Sequence, residues 1–162
     1  MPDGRDVLGK LIHLLEAGSA SYRMIPHEPE GRTAAASLLR RHPLEQAAKC
    51  MVVRVALGKR ARRYVLAVVP GNRQVDLDAL ADRYGGREAA FAAREVAERL
   101  AGSVSGSITP FAFSPELELL VDEGLLANDE IYFNAGRLDL SLALSVSDYL
   151  TLARPAVAPI AA

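Results

Sequence analysis

The chain has 162 residues, one ordinary domain's worth, and half of them are hydrophobic while 24% are charged, a globular rather than a disordered composition. Nineteen basic residues against twenty acidic ones give a net charge of -1, which excludes a polybasic binder but leaves room for a local basic patch. No apolar run approaches the ~18 residues of a membrane span, the start lacks a signal-peptide pattern, and the lone Cys50 excludes an internal disulfide and a cysteine zinc cluster, so the expected compartment is the cytoplasm.

Residues Asp6 to Glu16 read as an amphipathic helix, with Leu8, Leu11, Ile12 and Leu15 on one face and Gly18 as its stop. This helix makes residues 1–20 an N-terminal unit packed on the domain. Ser21 to Ile25 is a short strand ended by Pro26. Thr33 is placed to cap a helix running to Arg40, and Leu44 to Ala48 form a further helical turn after Pro43. Cys50 to Leu57 and Tyr64 to Val69 are Val-rich strands joined by a charged hairpin turn. Asp76 caps a helix that carries Leu77, Leu80, Ala81 and Tyr84 and ends at Gly85-Gly86.

Arg87 to Ala101 has two readings: one alanine-rich helix, or a strand at Ala89 to Ala92 followed by a helix at Glu95 to Leu100. Small residues make Gly102 to Phe111 a loop. Leu117 to Val121, Glu130 to Asn134 and Leu138 to Leu144 read as strands, the last with leucine at every second position. Ser145 and Asp148 suggest a capping box for a helix from Val146 to Arg154. The last stretch, 155–162, reads as a frayed tail. Strands adjoin one another without strict βαβ alternation, which predicts an α+β fold with a mixed or antiparallel sheet.

Few residues carry chemistry on their own. No nucleotide-binding loop, HExxH or GxSxG motif is present. His13, His27 and His42 lack metal-ligand spacing. Cys50 at the head of a Val-rich strand reads as a small core residue. Lys49 stands at a helix-to-strand junction before a buried run, as either a fixed cation facing a cleft or a snorkelling surface lysine. The small residues of Gly102 to Phe111 fit a close-approach backbone that holds an oxyanion, and equally a surface loop. Asn134-Ala135-Gly136 fits a hairpin turn. Lys59, Arg60, Arg62 and Arg63 could meet phosphates or simply coat a hairpin tip.

Taken in order, these pieces resemble the YbaK and prolyl-tRNA-synthetase-associated editing domains. The resemblance runs from about Tyr22 to Leu152. It rests on His27-Glu28-Pro29, Ala47-Ala48-Lys49 entering a strand, Val68 to Asn72, the GxxxP stretch Gly106 to Pro110, Val121-Asp122-Glu123, and Ile131 to Gly136. It implies a single domain, 21–154, with a curved, barrel-like mixed sheet flanked by helices, and it favours strand then helix for Arg87 to Ala101. It implies a free-standing deacylase that cleaves the ester of mischarged tRNA carrying a small amino acid. It implies no metal or cofactor and no membrane; mischarged tRNA is the partner, with a synthetase as a second candidate.

The same resemblance assigns roles. Lys49 matches the family's functional lysine and would hold terminal phosphates or the adenosine end. The backbone of Gly106 and Ser107 would hold the scissile carbonyl, and Pro110 would fix the loop. Asn134 and Gly136 would line the aminoacyl pocket, and His27 joins them as substrate-binding. The chain departs from many relatives at Cys50, where Thr or Ser is usual, at Ser107 in place of a second glycine, and at Ile25 in place of a tyrosine. Two rivals remain: a non-catalytic tRNA- or synthetase-binding module of the same fold, and an enzyme acting on another activated ester or amide.

Overall fold

The structure, a computed structural model, describes residues 4–58 and 60–162; Lys59 of the basic cluster lies outside them. Its centre is a five-stranded mixed sheet. β2 (Ala48–Ala56) and β3 (Arg62–Pro70) form an antiparallel hairpin, with Ala48 opposite Pro70 and Ala56 opposite Arg62. β4 (Glu88–Phe91) pairs antiparallel with β2 at one edge. β5 (Leu117–Asp122) runs parallel to β3 on the other side. Successive residues of β3 point to opposite faces, and both faces are buried. Leu66 and Val68 join one core with Val52 and Phe133, while Val65, Ala67 and Val69 join another with Val53 and Leu80. Burial on both faces explains the continuous Val-rich run in place of alternation.

A second, three-stranded antiparallel sheet faces the first core. It has the order β1 (Tyr22–Pro26), β7 (Leu140–Ser145), β6 (Glu130–Arg137). A parallel bridge between Ala47 and Tyr132 joins the two sheets. The curved sheet expected from the resemblance is thus two sheets meeting at the start of β2. Helix α1 (Gly4–Ala17) packs against β6 and buries Leu11 and Leu15, four residues apart on one face.

The ambiguous stretch resolves as strand then helix, with α4 (Arg94–Ala101) after β4. Pairing with the edge of β2 overrides alanine's helical preference: Arg87 N–H donates to Ala56 at 2.8 Å and Ala92 N–H to Val52 at 2.9 Å. Gly86 permits the approach, since a Cβ there would stand 2.7 Å from Val55.

Three local expectations change. Thr33 is the first residue of α2 (Thr33–Arg40) and not its cap; Arg32 holds the cap position, where Glu30 Oε2 accepts its N–H at 3.0 Å. Asn134-Ala135-Gly136 is a bulge within β6, and the hairpin turns two residues later, between Arg137 and Leu140. The segment 155–162, expected to fray, packs instead. β8 (Ala156–Ala158) adds parallel to β5, Ile160 is 1% exposed, and both oxygen-seeking amides of Ile160 and Ala161 donate to Asp122 Oδ1 at 2.9 and 3.0 Å.

The remaining helices follow their sequence signals. Asp76 caps α3 (Leu77–Arg83) by accepting from Ala79 N–H at 3.0 Å. Ser145 caps α5 (Val146–Ala153) by accepting from Asp148 N–H at 3.1 Å.

Candidate functional site

A cleft of about 450 Å³ opens between α2, the first half of β2, the end of β4 and the loop after α4. Among the described residues, three cations line it, Arg40, Lys49 and Arg94, and no carboxylate does. Such a wall suits an anionic ligand and offers no carboxylate base.

The GxxxP loop forms one wall, and its shape is over-determined. Ser105 N–H donates to Glu98 Oε2 at 2.7 Å. That bond leads the causes that hold the Glu98 carboxyl below its usual range. Ser107 N–H and Ser107 Oγ both donate to Val104 O, at 3.0 and 2.8 Å. Between them, Gly106 adopts φ +91°, a left-handed conformation that glycine tolerates. Its N–H has no partner among the described residues. At the loop's exit, the carbonyl of Pro110 accepts from the buried Tyr149 hydroxyl at 2.7 Å.

Strand β6 fastens this loop from behind. Gly136 N–H donates to Ser107 O at 3.0 Å. Asn134 Nδ2 donates to Gly106 O at 3.0 Å and to Glu30 O at 2.7 Å. Two backbones therefore cross at Gly31 and Gly106, so close that a Cβ on Gly106 would lie 2.7 Å from Gly31 Cα. The bulge in β6 serves this contact by turning Gly136 toward the loop.

Behind Asn134 lies a buried polar network centred on Arg40, which is 8% exposed. Arg40 donates to Asn134 Oδ1 at 3.1 Å, Ser141 Oγ at 3.2 Å, Ser37 Oγ at 3.4 Å and His42 Nε2 at 3.0 Å. Burial lowers its pKa to about 10, so it stays charged at neutral pH. His42 accepts through Nε2, which leaves the proton on Nδ1, 2.7 Å from Pro43 O. Burial foremost, with the Arg40 charge, pushes the His42 pKa below its usual value. His27 joins the network through Nε2, 2.7 Å from Ser141 Oγ.

Lys49 and Cys50 sit on opposite pleats of β2. Cys50 shares its face with Ala48 and Val52, on the cleft side. Burial pushes its thiol far up, so no thiolate nucleophile forms there. Lys49 lies at the rim, half-buried, and no hydrogen bond or ion pair holds its ammonium among the described residues. Desolvation lowers its pKa. The edge of β2 is open here: Val52 O and Ala56 O face β4, so the backbone of Cys50 faces the same edge, beyond the end of β4.

Of the residues singled out in the sequence, Lys49, Gly106 and Asn134 line the cleft together. Ser107, Pro110, Gly136 and His27 stand behind its wall and hold the lining residues in place. Ser107 is corrected from an oxyanion donor to a support, because its N–H is already spent on Val104. Sequence reasoning missed Arg40, His42 and Gly31. No sequence signal marks Arg40, which lies four residues after Ala36 on the buried face of α2, a helix whose Leu38 is 81% exposed.

Residues 27–152 match the sequence pattern of the aminoacyl-tRNA editing domain. The match spans most of the chain, which therefore belongs to the aminoacyl-tRNA editing domain family, hydrolases of the ester that joins an amino acid to tRNA. The chain is 41% identical over 147 residues to the multifunctional Ser/Thr-tRNA deacylase ProXp-y of Escherichia coli, covering 90% of this chain and 87% of that protein. Solved structures share the fold. A hypothetical protein superimposes with a TM-score of 0.84 at 21% identity, over 94% of this chain and 99% of its own. A candidate trans-editing enzyme for prolyl-tRNA synthetase gives 0.78 at 22% identity, over 96% and 97%.

Proposed function

We propose that this protein acts in trans on tRNA charged with the wrong small amino acid, and that serine and threonine esters are its substrates. The observation that carries the reading is 41% identity to a Ser/Thr-tRNA deacylase across 90% of the chain. The cleft supports it. Thr33, Ala36, Ala48 and Cys50, all small, line it and suit a small hydroxylated side chain.

The residues divide the work. The free Gly106 N–H meets the ester carbonyl oxygen as negative charge develops there. Lys49 at the rim holds a phosphate of the acceptor end. The open edge of β2 offers the Cys50 carbonyl to the substrate's α-ammonium. A water molecule adds to the ester carbon. The ribose 3′-oxygen departs with a proton from that water, relayed by the neighbouring 2′-hydroxyl. Among the described residues no histidine or carboxylate lines the cleft to act as a base, so orientation and charge supply the rate. The substrate is the released product of a synthetase, which makes that enzyme the candidate partner and the cytoplasm the working compartment. No described helix is long and apolar enough to cross a membrane.

The test is turnover of a panel of mischarged tRNAs. Loss of the seryl and threonyl esters supports the reading. Binding of the same tRNAs without hydrolysis would instead mark a binding module.

A further inference from the structure

Among the described residues, Arg40 is a buried cation without a counter-ion. All four groups that accept from it are neutral: Asn134 Oδ1, Ser141 Oγ, Ser37 Oγ and His42 Nε2. No ion pair engages it among the described residues. A guanidinium has five N–H donors, so one remains unspent, and the residue borders the cleft. Holding such a charge in the interior is unfavourable unless something offsets it. Its hydrogen bonds orient Asn134, yet a neutral amide could do that without the penalty. The charge itself therefore asks for an anionic complement from the cleft.

We propose that Arg40 supplies the positive charge that stabilises the oxyanion formed on the ester carbonyl. This inference rests on the deacylase reading above. When the water oxygen bonds to the carbonyl carbon, the C=O electron pair moves onto the carbonyl oxygen. That oxygen would lie in the cleft that Gly106 and Arg40 both line. Collapse restores the C=O bond and breaks the bond to the ribose 3′-oxygen, which leaves with the water's proton. A terminal phosphate is the weaker complement, because Lys49 and Arg94 stand nearer solvent and Arg40 lies deep, against Asn134. A phosphate is also charged before and after reaction, whereas the oxyanion exists only in the transition state, so the two roles separate in kinetics.

Three variants test it on the full-length protein with seryl-tRNA. Arg40→Gln removes the charge. Arg40→Lys keeps it. Ser37→Asp places a carboxylate next to the Arg40 guanidinium, cancelling the charge while Arg40 and its bonds to Asn134 stay. The charge role predicts that Arg40→Gln and Ser37→Asp each lower kcat by about 10²-fold or more. KM should move by less than about threefold, and the loss should persist at high salt because ions screen a buried charge poorly. Arg40→Lys should recover at least about tenfold of the loss, as a retained charge requires. Turnover by Ser37→Asp within about twofold of wild type would overturn the inference, even were Arg40→Gln to unfold. A loss confined to KM and steep in salt would overturn it too, by marking a phosphate contact. A wild-type protein inactive on every mischarged tRNA would overturn the deacylase reading and this one together; an active wild type with an active Arg40→Gln would overturn this one alone.

Discussion

Asn134 Nδ2 donates to the carbonyl of Gly106 at 3.0 Å, and the same nitrogen donates to Glu30 at 2.7 Å. One amide on β6 thus staples together two segments far apart in sequence, the entry to α2 and the GxxxP loop. Its other end is held by Arg40 and by the Ser141 hydroxyl, which donates to Oδ1 at 2.8 Å. The free N–H of Gly106 is aimed by this staple and not by the loop alone.

Gly106→Ala tests the crossing. The new methyl group would meet Gly31 Cα at 2.7 Å, on a residue at φ +91°. A strained backbone of this kind costs about 1–3 kcal/mol. Urea denaturation should show that loss, and deacylation should fall further than stability, because the loop must shift to admit the methyl.

Lys49→Met separates activity from stability. Desolvation depresses the Lys49 pKa in the folded protein, so below its ordinary value of 10.5 the unfolded chain holds the proton more tightly. The charged lysine therefore opposes folding at neutral pH, and that penalty is relieved only as pH rises toward 10.5. Replacement by methionine should leave the melting temperature equal to or above that of wild type while deacylation drops strongly. A lower melting temperature with unchanged turnover would contradict both halves.

His42 gives the protein an acid-side sensitivity. Its folded pKa is lowered from 6.5, chiefly by burial. The unfolded chain binds the extra proton first, so stability is full above about 6.5 and declines as pH falls through that value toward the folded pKa. Protonation would also set two cations against each other, because Nε2 accepts from Arg40 at 3.0 Å. Denaturation midpoints between pH 7.5 and 5 should fall in wild type, and His42→Gln should flatten that slope.

Ile160 anchors the final segment. It is 1% exposed, and its N–H donates to Asp122. Truncating such a side chain costs about 2–5 kcal/mol. Ile160→Ala should lower stability by that amount with kcat unchanged, since β8 and the cleft lie on different parts of the fold.

The sequence made the elements readable where local signals agreed with tertiary ones. Asp76 and Ser145 cap the helices they precede, and the Val-rich runs are the β2–β3 hairpin. It misled where partners distant in the chain decide. The tail looked frayed because PAVAPIAA is short and proline-bounded; what holds it is Asp122, 38 residues away. Its one local clue was the burial-compatible spacing of Ala158 and Ile160. The site divides the same way. Lys49, Gly106 and Asn134, which the family motif singles out, line the cleft together. Arg40 stayed hidden because helix α2 is inverted relative to its composition, with Leu38 outward and an arginine inward. No periodicity rule buries an arginine ahead of a leucine, so that placement became visible only once Asn134 and Ser141 stood opposite it.

The most direct measurement is hydrolysis of seryl- and threonyl-tRNA by the wild-type protein beside Lys49→Ala. The account predicts release of both amino acids by wild type and a strong loss of rate in a folded Lys49→Ala protein. Retention of both esters by wild type, or equal rates for the two proteins, would contradict it.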